Sequence, residues 1–104
     1  MAYGSHANAG DRRTIGSFYG YCKAGPPTPQ GVSCEDYMLA YARLLGMIGA
    51  NRERIAPAGI CDAEYTSESL RFLFINWAER NPKRWTEDFV FGVDASLKEA
   101  WPCK

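Results

Sequence analysis

Four cysteines stand in this chain of 104 residues, at Cys22, Cys34, Cys61 and Cys103, and no two of them form a C-x-x-C pair. That spacing constrains the fold more than any other feature. Structural zinc takes closely paired ligands, and the single histidine, His6, falls in a patternless leader, so the residues argue against a metal centre. Disulfides suit an even number of cysteines in a small chain and imply an oxidising compartment. Buried reduced cysteines in a cytosolic domain are the alternative. Four cysteines admit three connectivities, and the choice among them depends on where the helices lie.

From Asp11 to Lys23, the apolar positions Ile15, Phe18, Tyr19 and Cys22 recur at the spacing of one helix face, and Gly25 with Pro26-Pro27 supplies a stop. "AGPPTPQGVS" reads as a stiff loop. Ser33, with Asp36 three residues later, resembles a capping box, and Met38, Tyr41, Ala42, Leu45 and Ile48 then line a second helix that ends near Gly49. Residues 49–66 show no sustained period. Thr66 or Ser67 caps a third helix with Leu70, Leu73, Phe74, Trp77 and Ala78 on its stripe; Phe72 and Ile75 lie off it. Such a helix is either central in a bundle or faces a second copy of the chain. Asn81-Pro82 ends it. Thr86 opens a fourth helix, with Glu87 and Asp88 in its first turn and Phe89, Val90, Val93, Leu97, Ala100 and Trp101 on one face; Pro102 stops it. No strand-like alternation competes, so the expected class is all-α, a small bundle of about four helices stapled by two disulfides.

The helices limit the bridges. A short link makes the third and fourth helices antiparallel, which brings Cys61, just before one, beside Cys103, just after the other. Cys22 closes the first helix and Cys34 begins the second, with the proline loop returning one to the other. Cys34 and Cys61, by contrast, flank a helix about 22 Å long, far beyond the roughly 7 Å reach of a disulfide. The pairing expected is Cys22 with Cys34 and Cys61 with Cys103. It also explains why the chain closes on "WPCK": Trp101 is the last core residue, Pro102 stops the helix and Cys103 clamps its end.

The length suits a single helical domain over residues 11–104. Residues 1–10, "MAYGSHANAG", are small and polar, and their "GSH" looks like the remnant of an expression tag, so a signal peptide is presumed to have been removed upstream. Lys+Arg and Asp+Glu balance at 12 each, which removes the electrostatic reason to expect nucleic acid or an acidic membrane surface as partner. No apolar run reaches the roughly 18 residues needed to cross a bilayer.

Nothing in the sequence builds an active site. With no credible histidine, a Ser, Cys or Thr nucleophile lacks its usual base. Among the acid pairs, Glu35/Asp36 and Glu87/Asp88 read as first-turn acids that complement a helix dipole, and Asp62/Glu64 is the third. There is no glycine-rich phosphate loop and no H-E-x-x-H, and no cofactor is expected. Trp77, Phe74, Phe89 and Trp101 read as core. Trp85, in "NPKRWTE", either caps the end of the bundle or marks a binding surface.

Three segments carry a family resemblance: "SCEDYMLAYARLLGMI", "GICDAEYTSESLRFLFINWAERNPKRW" and "FVFGVDASLKEAWPC". Their order, a cysteine opening a helix, an "x-C-x-P/A-x-x-x-T" start to another and a closing "aFPC"-like helix end, resembles the Tai/Rap-type immunity proteins of bacterial type VI secretion. The chain departs from the common "C-x-G-Y-I-x-G" after Cys34, keeping Tyr37 but neither glycine. The resemblance implies a periplasmic protein without catalysis of its own, which binds a secreted peptidoglycan amidase effector and blocks its cleft. It also implies a homodimer. The family's effector-contacting loops diverge, so contacts are nominated here by loop position and composition: Asn51, Arg52, Glu53 and Arg54 first, then Lys83, Arg84 and Trp85. The rival reading is a periplasmic, disulfide-stapled stress or chaperone-like helical protein; an enzyme using lysine or paired carboxylates is a third.

Overall fold

The computed structural model describes residues 13–51 and 56–103. Their core is four α-helices: α1 (Ile15–Ala24), α2 (Pro29–Ala50), α3 (Ser67–Arg80) and α4 (Phe89–Ala100), with 3-10 turns at Ala56–Ala58 and Pro82–Arg84. Among the described residues there is no strand, only isolated bridges between Thr14 and Asp88 and between Ile60 and Pro102. The architecture is the expected all-α bundle.

Each helix start has a side-chain cap, although two starts differ from the sequence reading. α1 is capped by Thr14, whose hydroxyl accepts from the Ser17 N–H at 3.1 Å. α2 begins at Pro29, inside the stretch read as a loop. Thr28 accepts from the Gly31 N–H, and Pro29 takes the first helical position, where a missing N–H costs nothing and the fixed φ already suits a helix. Ser33 and Asp36 therefore form no start, and Glu35 and Asp36 lie beyond the first turn. α3 opens on Thr66 as expected, in a reciprocal capping box with Ser69. α4 opens at Phe89, with the Asp88 carboxylate accepting from the Val90 N–H. Thr86 does not start it, because the backbone of 85–89 pairs with the start of α1: Gly16 N–H donates to Trp85 O, Ile15 N–H to Glu87 O, and Phe89 N–H to Arg13 O.

Each helix packs against the other three. Ile15, Phe18 and Cys22 of α1 meet Cys34, Met38, Ala42 and Leu45 of α2, Leu70, Phe74, Trp77 and Ala78 of α3, and Val93 and Leu97 of α4. Phe18 and Phe74 pack edge-to-face at 4.9 Å. On α3, Ile75, off the main stripe, is also buried, while Phe72 stays exposed. On α4, Gly92 and Ser96 occupy inner positions, and Val90 and Ala100, expected on the apolar face, are exposed.

Both expected disulfides are present, Cys22–Cys34 with Cα atoms 5.1 Å apart and Cys61–Cys103 with Cα atoms 5.0 Å apart. Beside each, two stretches of main chain meet without side chains between them. A Cβ on Gly31 would overlap the Gly25 backbone, and a Cβ on Gly49 would overlap the Ile60 carbonyl. At the second seat Ile60 N–H donates to Leu45 O at 3.0 Å and Cys61 N–H donates to Trp101 O at 3.1 Å. Trp101 is partly buried against the core, which places it as expected.

Candidate partner-binding surface

Asn51 ends α2, exposed, with its backbone N–H on Ile48 O. Arg52, Glu53 and Arg54 lie outside the described residues, as do residues 1–12. Lys83 is exposed on the 3-10 turn between α3 and α4. Arg84, beside it, is committed twice: its guanidinium grips both Glu87 carboxylate oxygens at 2.9–3.2 Å and lies over the Trp77 ring at 5.2 Å. Those bonds hold the Glu87 carboxyl below its ordinary range, while the same contact raises the Arg84 guanidinium. Trp85 is partly buried, with Nε1–H donating to Ala78 O at 2.8 Å and its ring 4.6 Å from that of Tyr19. It fills the bundle end, and its edge is what remains for a partner.

Asn51, the described residue of the first segment, does not share one patch with Lys83, Arg84 and Trp85. Phe89, four residues after Trp85, packs on Tyr37 with ring centroids 5.0 Å apart. Asn51 is a further 14 residues along the same helix, about 21 Å at 1.5 Å per residue. Ala50, the residue before Asn51, lines a hollow of about 300 Å³ where Gly46, Gly49 and Ala50 face Cys61, Asp62 and Tyr65. Asp62 holds φ 57°, a left-handed turn that Asp adopts more readily than most residues.

Two surface features escaped the sequence reading. A cleft of about 380 Å³ lies between α1, α2 and the start of α4, walled by Phe18, Tyr21, Tyr37 and Phe89 with Arg13 and Ser33 at its rim. Phe18 and Phe89 sit on helical stripes, so periodicity assigns them to the core, while Tyr21 and Tyr37 fall off the stripes, and no local pattern shows that the four meet in a cleft. The other is an exposed apolar stretch of α2, Tyr37, Leu44 and Met47, the last 73% exposed. Its only sequence signal is that these positions fall off the Met38–Ala42–Leu45 face.

Two tyrosines pair with carboxylates of other helices. Tyr19 donates to Glu79 at 2.6 Å, which raises the phenol, and Tyr41 is raised by burial and by Asp94, to which it donates at 3.2 Å. Among the described residues no three His, Cys, Asp or Glu side chains gather to hold a metal ion, and no helix is long and apolar enough to cross a membrane. What the geometry offers is a rigid scaffold with shaped apolar recesses, which suits recognition of another macromolecule.

A family model described as Rap1a immunity proteins matches residues 14–103. No curated protein and no solved structure matches.

Proposed function

Because the chain belongs to the Rap1a immunity protein family, we propose that it acts in the periplasm, where it binds a secreted peptidoglycan amidase effector of type VI secretion and blocks that enzyme's cleft. The observation that carries the reading is the family match over residues 14–103, a span that includes all four bridged cysteines. Immunity against a secreted effector requires affinity and shape, and a doubly stapled bundle supplies both with little ordering on binding. Two disulfides fit an oxidising compartment such as the periplasm.

The contacts we propose are Asn51, Arg52, Glu53 and Arg54, with Lys83, Arg84 and the exposed edge of Trp85 as a second set. The homodimer is a proposal of the same kind, checked by sedimentation of the oxidised protein.

Calorimetry of the oxidised protein against type VI amidase effectors, with residual amidase activity read in parallel, tests the reading. Tight one-to-one binding that silences one enzyme is the expected result. Binding without loss of activity would remove cleft blocking. No binding to any amidase, together with strong apolar-dye binding, would shift the reading to the chaperone-like alternative.

A further inference from the structure

We propose that the groove between the start of α3 and Trp101 receives a lysine or arginine side chain of the partner protein. The groove holds about 520 Å³, and its floor is Phe72, Leu73 and Trp101. Phe72 is 47% exposed. The only ionisable groups along it are the carboxylates of Glu64 and Glu68. Neither takes part in any ion pair among the described residues. The neighbouring cation, Arg71, lies with its guanidinium 4.5 Å from the centre of the Phe72 ring, and it is already held by Glu35 at 3.0 Å and by the Cys22 carbonyl at 3.0 Å. The groove is therefore apolar below and anionic at its rim, and the one cation that touches its floor is already paired with Glu35.

The ordinary reading of a first-turn acid explains only part of this. Glu68 in the first turn of α3 complements the helix dipole. Glu64 precedes the helix and receives no such account, and neither carboxylate explains an exposed Phe72. The hydroxyls of Thr66 and Ser69 are committed to their capping box, so they do not compete for a ligand. A long cationic side chain satisfies the whole arrangement, because its methylenes cover the apolar floor while its head reaches carboxylates and aromatic faces. The planar guanidinium of arginine fits a stacked, doubly anionic site better than an ammonium does.

The wall is built in advance. Trp101 receives the Cys61 N–H on its carbonyl, donates its own N–H to Leu97 O, and lies 5.7 Å from the Tyr65 ring, two residues before the Cys103 bridge. Binding there would order little that is not ordered already.

The identity of the occupant as part of an effector rests on the immunity reading, whereas the preference for a cation does not. The first test is therefore an NMR titration of the oxidised full chain with acetyl-Gly-Arg-Gly-amide and with its neutral citrulline counterpart. The expected result is that the Trp101 indole N–H and the Phe72 and Leu73 amides shift with the arginine peptide, with the citrulline peptide roughly tenfold weaker. Glu64→Gln with Glu68→Gln, at unchanged melting temperature, should remove the difference. Equal shifts from both peptides, or a preference that survives the double substitution, would overturn the proposal. The second test uses any amidase that the wild-type protein binds: Glu64→Lys with Glu68→Lys should weaken binding roughly tenfold or more. Equal binding by the charge-reversed protein would overturn the assignment of the groove to the effector. An arginine preference without any amidase binding would instead support the groove and count against the amidase reading.

Discussion

The disulfide between Cys22 and Cys34 lies wholly inside the bundle at the start of α2, beside the Arg71–Glu35 pair, whereas the one between Cys61 and Cys103 is partly exposed at the opposite end of that helix. The first joins neighbours in sequence, 12 residues apart; the second closes 42. Chain entropy makes the longer closure the more stabilising of the two, while burial makes the shorter one the harder to reach with a reductant. One end of the molecule is thus secured by packing as well as by sulfur, and the other depends more on its covalent link.

The largest expected effect comes from the main-chain seats. Gly49→Val drives a side chain into the Ile60 carbonyl, and Gly31→Val into the Gly25 backbone; each should cost on the order of 4 kcal/mol or more by denaturant melting. A small loss at Gly49 would mean that the exposed end is loosely seated. Next is Cys61→Ser with Cys103→Ser, for which loop closure gives about 4 kcal/mol, against about 3 kcal/mol for Cys22→Ala with Cys34→Ala. The reverse order in urea melts would show that packing, and not chain entropy, sets the ranking. Graded reduction followed by alkylation and mass mapping should label Cys61 and Cys103 first; simultaneous labelling would erase the contrast.

Smaller effects sharpen the same comparison. Arg71→Ala removes the partner of a largely buried Glu35 and a donor to the Cys22 carbonyl, with an expected loss of roughly 2 kcal/mol that Glu35→Gln made in the same chain should partly recover. The Arg84–Glu87 pair sits on the surface and should matter least. Glu87 titrates below its unfolded value of 4.5 because Arg84 stabilises its charged form, so its contribution is present above that pH and is lost as the pH falls through the folded value. Glu87→Gln should therefore lower stability slightly at neutral pH, leave it unchanged below the folded value of Glu87, and so flatten the acid limb of the stability profile. An acid limb identical to wild type would show that the pair is solvated at no net gain.

The stripes of Ile15–Phe18–Cys22 and Leu70–Phe74–Trp77 were legible in the sequence because a helix face imposes its own period, and the Thr66 start because its cap is local. The bridges followed from helix ends alone. Pro29 was not legible as a helix start because its neighbours Pro26, Pro27 and Gly25 all signal a turn, and Thr28 acts as a cap only once Gly25 has redirected the chain. The start of α4 was hidden for another reason: 85–89 gives its backbone groups to 13–16, a pairing between segments some 70 residues apart that no local pattern encodes. Of the surface, loop composition singled out Asn51, Lys83 and Arg84, but exposure of Phe72 and Met47 depends on which faces the other helices leave uncovered.

The seat at Gly49 bears on how four thiols find their partners. A chain that oxidised while unfolded would sample three pairings according to which cysteines happened to meet. Here the packing of Gly59 on Gly49, the Ile60 N–H on the Leu45 carbonyl and the Cys61 N–H on the Trp101 carbonyl hold the main chain beside the bridge in the register that pairs Cys61 with Cys103. The main chain and the sulfur atoms thus favour the same partner, so the fidelity of the bridge is a property of two glycines as well as of two cysteines.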